Sequence, residues 1–465
     1  MFLKKYIGDR AFYRRVLAVA VPIMVQSGVT NLVNLLDNVM VGRLGTEPMS
    51  GVSIVNQFIF VFNLLIFGAI SAAGIFTAQY HGSRDVEGER HTFRFKLLVN
   101  LAAALLAVGI LALFNDALIS LFLHTGSAEG DLALTLTHGK QYLQIMLLGL
   151  LPYAVSQVYA STMRETGEAV VPMVASLAAV GVNFLLNCVL IFGLLGLPAM
   201  GVSGAAIATV ISRFVELAIL TVWGHGHPEK CPYLIGALRS LHVPRKLFGR
   251  IAVKGLPLMA NELLWALAIT LRNQCYSTEG LDVVAAQNIC STILNVFNVV
   301  YMAVGSSIAI IIGNLLGAGE FEQAKDEDRK MMAFSVACAT GIGALLALSA
   351  PLFPQIYNTG NDVRHLATYM MIVSAATMPF CAYAHSAYFT LRSGGRVMIT
   401  ILFDAAYMWC IVVPISATLA YFTNVSIWWM FAICQGTEIV KVAFGYRLLK
   451  KGTWVRRLVA DPQRA

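Results

Sequence analysis

Charge is scarce in this chain. Asp, Glu, Lys and Arg together make up 12% of its 465 residues, about half the ~25% usual in soluble domains. With 58% hydrophobic residues and a mean hydropathy of +0.71, the shortage excludes a soluble globular protein and implies a polytopic membrane protein. The eight cysteines are scattered, mostly inside apolar runs, with no C-x-x-C pair. That excludes a zinc site or a disulfide framework of the usual spacing. No H-E-x-x-H and no G-x-x-x-x-G-K-[ST] occurs, so neither zincin chemistry nor direct ATP drive is expected. His385 is a lone histidine in an apolar stretch and reads as a packed or hydrogen-bonded side chain. A membrane-embedded enzyme would need a nucleophile with a base, or a metal cluster. Neither is legible, and the chain is read as no enzyme. The basic, then apolar N-terminus lacks a small-x-small cleavage pattern, and its apolar run is too long for a signal peptide, so it is read as a retained first span.

A membrane-crossing helix needs about 20 mostly apolar residues. Twelve stretches qualify: 16–40, 51–78, 96–114, 140–163, 169–194, 200–223, 251–276, 284–312, 331–353, 366–390, 397–420 and 425–447. Gly, Pro and charge separate them, as in "HGSRDVEGER" and "GAGEFEQAKDEDRK". The net charge of +8 is topological: 27 of the 33 Lys and Arg lie at the N-terminus, around the loops after even-numbered spans, or at the C-terminus. Arg43, Lys140 and Arg364 lie on the other side, and Arg213, Arg272 and Lys441 within spans. The positive-inside rule then places both termini in the cytoplasm, in a multi-pass protein of the plasma membrane. Nucleic acid is not expected as a partner.

Shifted by 235 residues, the chain aligns with itself. Pro22 meets Pro257, Met24 meets Met259, Asn38 meets Asn273, Gly45 meets Gly280, Ser71 meets Ser306 and Gly82 meets Gly317, without a gap over some 60 residues. Each half holds an even number of spans, so both enter the membrane in the same direction. The expected fold is therefore all-α, with twelve transmembrane helices in two pseudo-symmetric six-helix bundles. The parallel repeat is related by an axis along the membrane normal, and such repeats point to a carrier with alternating access. The expected organisation is an N-terminal lobe over 1–223, a cytoplasmic linker over 224–250 and a C-terminal lobe over 251–465.

Polar side chains recur at helical spacing inside these spans. Ser27, Thr30, Asn31, Asn34, Asp37 and Asn38 stripe span 1. Ser53, Asn56, Gln57 and Asn63 do so in span 2, and Asn288, Ser291, Thr292, Asn295 and Asn298 in span 8. Amides of this kind either glue helices together or line a wet cavity, and the set as a whole favours the cavity. Asn183 and Asn187 share one face of span 5. Pro22, Pro152, Pro172, Pro257, Pro379 and Pro414 lie in or near spans as potential kinks.

Acids inside a membrane usually face a cavity or a partner. Arg213 with Glu216, and Glu438 with Lys441, are three apart and suit local ion pairs. Glu262, a turn past Pro257, and Asp404, with no local basic partner, are candidates for secondary coupling or gating, as is Arg272. Asp37 has no basic residue within reach on its own helix, amide neighbours at Asn34 and Asn38, and Arg272 as its repeat mate. A carboxylate in that setting can take up a proton or ligate a small cation such as Na⁺ through hard oxygens.

Several stretches resemble the multidrug and toxic compound extrusion (MATE) family across nearly the whole chain. They are "VPIMVQS" and "LLDNVMVGRLG" in span 1, "TAQYHGS" after span 2, "MRETGEAVVP" before span 5, "NFLLNCVLIFGLLGLPAMGVSGAAIATVIS" across spans 5 and 6, and "KGLPLM", "GNLLGAGE" and "LRSGG" in the second half. The resemblance implies two six-helix lobes around a V-shaped cavity, and export of organic, often cationic and aromatic compounds in exchange for H⁺ or Na⁺, with no other cofactor. It places the family's span 1 acid on Asp37 and its span 5 polar pair on Asn183 and Asn187, with Asn34 nearby. Glu262 is the nearest equivalent of a span 7 acid. A span 10 acid of one branch falls on Cys381, a departure that shifts weight to Asp37.

The expected partners are small organic molecules and the lipid bilayer, and the carrier is expected to act as a monomer. Gln57, Asn63, Tyr142, Tyr153, Asn288 and Asn298 are the expected substrate-cavity residues, and Phe60 and Trp265 would also suit planar cations. The alternative within the same superfamily is a flippase of lipid-linked oligosaccharides, which would need a basic cavity to hold a pyrophosphate. The spans offer only Arg213, Arg272 and Lys441.

Overall fold

In a computed structural model of the chain, residues 5–120, 132–194, 196–357 and 359–459 are described. Among the described residues, twelve helices are long and apolar enough to cross a membrane. Spans 1–6 are Arg10–Gly42, Glu47–Gly82, Val86–Leu113, Leu132–Glu165, Val170–Phe192 and Gly201–Gly226. Spans 7–12 are Arg245–Ser277, Asp282–Ala318, Phe321–Ser349, Asn361–Ser393, Val397–Phe422 and Ile427–Lys450. Each overlaps an expected span. Several start earlier: span 3 begins at Val86, ten residues before its expected start. Hydropathy marks only the stretch that suits hydrocarbon, whereas backbone hydrogen bonding continues into charged segments. Glu87 and Glu89 in the first turn of span 3 also suit the positive end of the helix dipole.

The usual pattern of exposure is inverted. Leu106, Val222, Leu348 and Phe422 face outward, while Lys96, Asn100 and Asn261 are fully buried. That is the arrangement expected where lipid is the solvent and every interior polar group needs a partner. Lipid tails give no hydrophobic drive for helices to associate, so close backbone approach and interhelical polar bonds take over that task.

Packing divides the chain into two compact units. One comprises the described parts of Val25–Thr77 and Val86–Gly255; the other, those of Met1–Met24, Ala78–Asp85 and Leu256–Ala465. The division cuts across the sequence repeat, because the start of span 1 and the end of span 2 group with second-half helices. The first unit is cored by Val55, Ile66, Leu143, Met146 and Leu150. The second has one core around Leu346, Met370, Met371 and Met430. Another joins Phe12 and Val16 to Ile308, Leu316 and Leu391.

Within the second unit, the end of span 2 crosses the end of span 8 through repeat-related residues. A methyl on Gly82 would lie 1.8 Å from the Asn314 carbonyl oxygen, and one on Gly317 would lie 1.9 Å from that of Gln79. A methyl on Gly313 would meet the Cβ of its repeat mate Ala78 at 2.8 Å. The 235-residue shift maps Ala78, Gln79 and Gly82 onto Gly313, Asn314 and Gly317, so the crossing is itself two-fold symmetric. Only glycine permits it. The Gln79 side chain donates to the Ser393 carbonyl (3.1 Å) and that of Arg456 (3.2 Å), and accepts from the Leu458 N–H (2.6 Å), tying down the C-terminal segment.

The segment between spans 6 and 7 holds a short 3₁₀ turn, Pro232–Leu234. Span 3 straps it down. The Arg94 guanidinium donates to the carbonyls of Ala237 (2.9 Å), Gly236 (3.0 Å) and His242 (3.4 Å), and Arg90 donates to that of Tyr233 (3.3 Å). Deeper in span 3, Lys96 pairs with Glu165 at 2.5 Å and donates to Thr162 (3.1 Å) and Ser161 (3.4 Å). Lys96, at the edge of the expected span, is thus an interior residue.

Span 11 is not one continuous helix. Val397–Phe403 ends at Asp404 (φ −110°, ψ −79°), and a π-helical turn over Met408–Val412 precedes Val413–Phe422. The Asn261 side-chain oxygen accepts from the Ala405 N–H at 3.2 Å, satisfying a donor at the break. Interruptions of this kind are frequent at functional sites.

Candidate functional site

Three helices of the first unit converge on Asp37. Span 5 presents Asn183 and Asn187 from one face, both buried. Asn187 Nδ2 donates to Asp37 Oδ1 at 2.6 Å and contacts Asn183 Oδ1 at 3.3 Å. The Asn183 amide touches Thr209 of span 6 at 3.3 Å, and Thr209 donates back to the Ala205 carbonyl at 3.0 Å. Turned by half a rotation, the same amide donates to both Asp37 oxygens, at 3.2 and 3.1 Å, and accepts from Thr209. Its orientation is assigned from these partners. In either orientation, among the described residues the carboxylate receives neutral amide donors and no ion-pair partner.

One oxygen of the cluster is left over. Asn187 Oδ1 is buried and has no hydrogen-bond partner. A buried, unmatched carbonyl oxygen costs about 1–3 kcal/mol. Together with the half-buried carboxylate, it gives hard oxygen donors suited to a proton or a small cation. Among the described residues no group of three His, Cys, Asp or Glu could hold a metal ion. Asn34, one turn before Asp37, points to the exposed face and makes no hydrogen bond to this cluster among the described residues.

The other expected residues of this unit are distributed differently. Tyr142 is buried in the core, its hydroxyl 3.5 Å from Asn56 Oδ1. Tyr153 packs against the same core, with the Arg213 guanidinium 5.0 Å from its ring centre. Gln57 is exposed, and Asn63 is half-buried with Oδ1 unpartnered. Arg213 forms no ion pair with Glu216 among the described residues, and its Nη1 lacks a hydrogen-bond partner. In place of the ion pair expected from the three-residue spacing, the Arg213 guanidinium lies over the Tyr153 ring of span 4.

In the second unit, Asn288 is exposed and Asn298 half-buried on span 8. Arg272 lies 5.9 Å from the Tyr276 ring centre, with a buried, unpartnered Nε. Glu262 accepts from the Tyr388 hydroxyl at 2.7 Å and stands 3.8 Å from Arg392, while Tyr388 accepts from Arg392 at 3.4 Å. Asp404 accepts from Lys441 Nζ at 2.9 Å and Asn261 Nδ2 at 3.1 Å. Lys441 therefore pairs across helices with Asp404, and no ion pair joins it to Glu438 among the described residues. The buried carboxylate at the helix break takes the ammonium that spacing alone would have given to Glu438.

Sequence spacing missed Thr209, Asn261 and the Lys441 partnership. Thr209 sits in a run of small residues, "GVSGAAIAT", which reads only as close packing. Asn261 adjoins Glu262, so its polarity is masked by a more conspicuous neighbour.

Twelve spans, an internal duplication and an amide-bound acid in the first span define a membrane carrier rather than an enzyme. The particular family follows from comparison: the MatE family model matches residues 22–189 and 257–422, most of the chain in two halves, and the chain belongs to that family. It is 22% identical to the probable multidrug resistance protein NorM of Thermotoga maritima, over 97% of this chain and 95% of that one. Among solved structures, an outward-facing multidrug resistance MATE family transporter of the MOP superfamily superposes with a TM-score of 0.84 at 19% identity, over 96% of this chain and 98% of the other. A mutant of the MATE transporter VcmN of Vibrio cholerae gives 0.85 at 17% identity, over 95% and 97%. The all-helical fold with twelve spans is thus the MATE fold, and the chain is a multi-pass membrane transporter.

Proposed function

We propose that this transporter exports small organic compounds, cationic or aromatic ones above all, by antiport against H⁺ or Na⁺ taken up at Asp37. The observation that carries the reading is the pairing of a carboxylate held, among the described residues, by neutral donors with a buried, unpartnered Asn187 oxygen. Uptake of a cation cancels the carboxylate charge and gives the spare oxygen a partner, drawing span 1 toward spans 5 and 6. That movement closes the substrate site in the N-terminal lobe and expels the drug; release of the cation reverses it. The multidrug resistance role in the name of the Thermotoga maritima relative supports the cargo class. The excess of Lys and Arg around the termini and even-numbered loops supports cytoplasmic termini in a plasma-membrane protein, and the family match in two halves, over residues 22–189 and 257–422, supports residues 1–223 and 251–465 as the two lobes of the sequence repeat.

The interior bases argue against a lipid-linked oligosaccharide as cargo. Among the described residues, Lys441 is held by Asp404, Lys96 by Glu165 and Arg392 by Glu262 and Tyr388, Arg94 donates to backbone carbonyls, Arg213 lies over Tyr153 and Arg272 over Tyr276, an arrangement that speaks against a basic cluster for a pyrophosphate. Ethidium efflux from everted vesicles tests the proposal. Asp37→Asn should abolish gradient-driven efflux while leaving the purified protein folded, and normal efflux from that variant would sink it.

A further inference from the structure

The acids of the second unit are treated unlike Asp37. Asp404 receives an ammonium, Lys441 Nζ at 2.9 Å, besides the Asn261 amide at 3.1 Å. Both ionic partners are buried, at 9% and 8% exposure. Lys441 Nζ also lies 5.4 Å from the Phe403 ring centre and 5.7 Å from that of Tyr407. A position bounded by a carboxylate on one side and two aromatic faces on others has the make-up of a binding site for a monovalent cation. Here the cation is the protein's own.

The backbone is shaped around it. Span 11 breaks at Asp404, Asn261 of span 7 bonds both the Asp404 carboxylate and the Ala405 N–H, and Lys441 reaches in from span 12. Three helices are thus joined at one charge pair. Other charged and titratable groups lie within electrostatic reach of the pair: Glu438 of span 12, Cys381, His385 and Tyr388 of span 10, and Tyr407 of span 11, with Arg392 beside His385. Glu262 of span 7 is nearby and carries its own tethered cation, Arg392, at 3.8 Å. We infer that Lys441 is a built-in counter-ion that permanently fills a monovalent-cation site at Asp404, so that the second half of the transporter exchanges no ion there unless the ammonium is removed.

Pairing is what makes such a buried charge tolerable. Removing one partner leaves the other uncompensated, whereas replacing both with neutral groups is often harmless. Lys441→Met should therefore leave Asp404 in need of a free cation, and Lys441→Met/Asp404→Asn should not. Trp409 is a suitable reporter: it lies on the segment after the break, its indole N–H 3.0 Å from the Leu264 carbonyl.

The experiment uses full-length purified protein carrying Asp37→Asn, titrated with NaCl against N-methylglucamine chloride, and separately with acid, while tryptophan fluorescence and melting temperature are followed. In this background, adding Lys441→Met should create a saturable fluorescence change and a rise in melting temperature with Na⁺ or with acid. Lys441→Arg and Lys441→Met/Asp404→Asn should stay silent. A folded Lys441→Met protein that responds to neither ion overturns the inference. So does a Lys441→Met protein that fails to fold even at high Na⁺ or low pH while the double variant folds, because Asp404 then accepts no free cation. A cation response that persists in Asp37→Asn and disappears with added Asp404→Asn also overturns it, since the site would already be exchanging ions. Failure of the Asp37 proposal would register separately, as an unchanged response between wild type and Asp37→Asn.

Discussion

Replacing Gly82 with alanine should wedge apart the symmetric crossing of spans 2 and 8. The new methyl would start 1.8 Å from the Asn314 carbonyl oxygen, and ordinary contact begins near 3.4 Å. The helices must therefore separate by about 1.6 Å, the difference between those two distances. The obstacle is backbone, so no side-chain rotation relieves it. Overpacking usually costs about 1–3 kcal/mol, and the backbone clash puts this case at the upper end. Gly317→Ala meets the Gln79 carbonyl at 1.9 Å and should cost about as much. The two substitutions press on the same crossing from its two sides, so the separation forced by one makes room for the other. The double variant should then lose clearly less than the sum of the single losses, where distant sites would add. Gly341→Ala is the control, because a methyl there meets nothing within 4 Å, and alanine in a helix should gain about 0.5–1 kcal/mol. Thermal melting of the purified protein reads all four variants. Wild-type stability in Gly82→Ala, or full additivity in the double variant, would refute the argument that the crossing is glycine-dependent and symmetric.

Two further consequences concern buried bases outside the proposed ion site. Lys96→Met strands Glu165 in the interior of the first unit and should cost about 3–5 kcal/mol, most of which adding Glu165→Gln should restore; melting temperature and membrane expression check this. Arg94→Gln removes up to three charge-assisted bonds to the Gly236, Ala237 and His242 carbonyls, and should make the segment between spans 6 and 7 the first point of limited proteolysis, with a stability loss of about 1–3 kcal/mol.

Much of this architecture is legible in the sequence because membrane spans declare themselves by length. An apolar run of about 20 residues has few other uses, so all twelve spans are visible. So is the two-half organisation, through shared Pro, Asn and Gly positions. Asp37, Asn183 and Asn187 were also legible, the first as an acid with no local base and the other two as residues sharing one helix face. Contacts across helices were not. Lys441 lies three residues after Glu438 and 37 after Asp404, and spacing along one helix favours the nearer acid. The break in span 11 leaves almost no trace in "ILFDAAYMWCIVVPISATLAYF", because the group that satisfies it, Asn261, belongs to another helix. Thr209 was hidden for a related reason: its role exists only where span 6 meets span 5.

The central claim is that Asp37 holds the coupling cation, and proteoliposomes test it most directly. Wild-type protein should drive ethidium efflux under an imposed pH gradient or an imposed Na⁺ gradient, applied in turn. Asp37→Asn should respond to neither while still binding ethidium. Gradient-driven efflux that survives in Asp37→Asn would contradict the account.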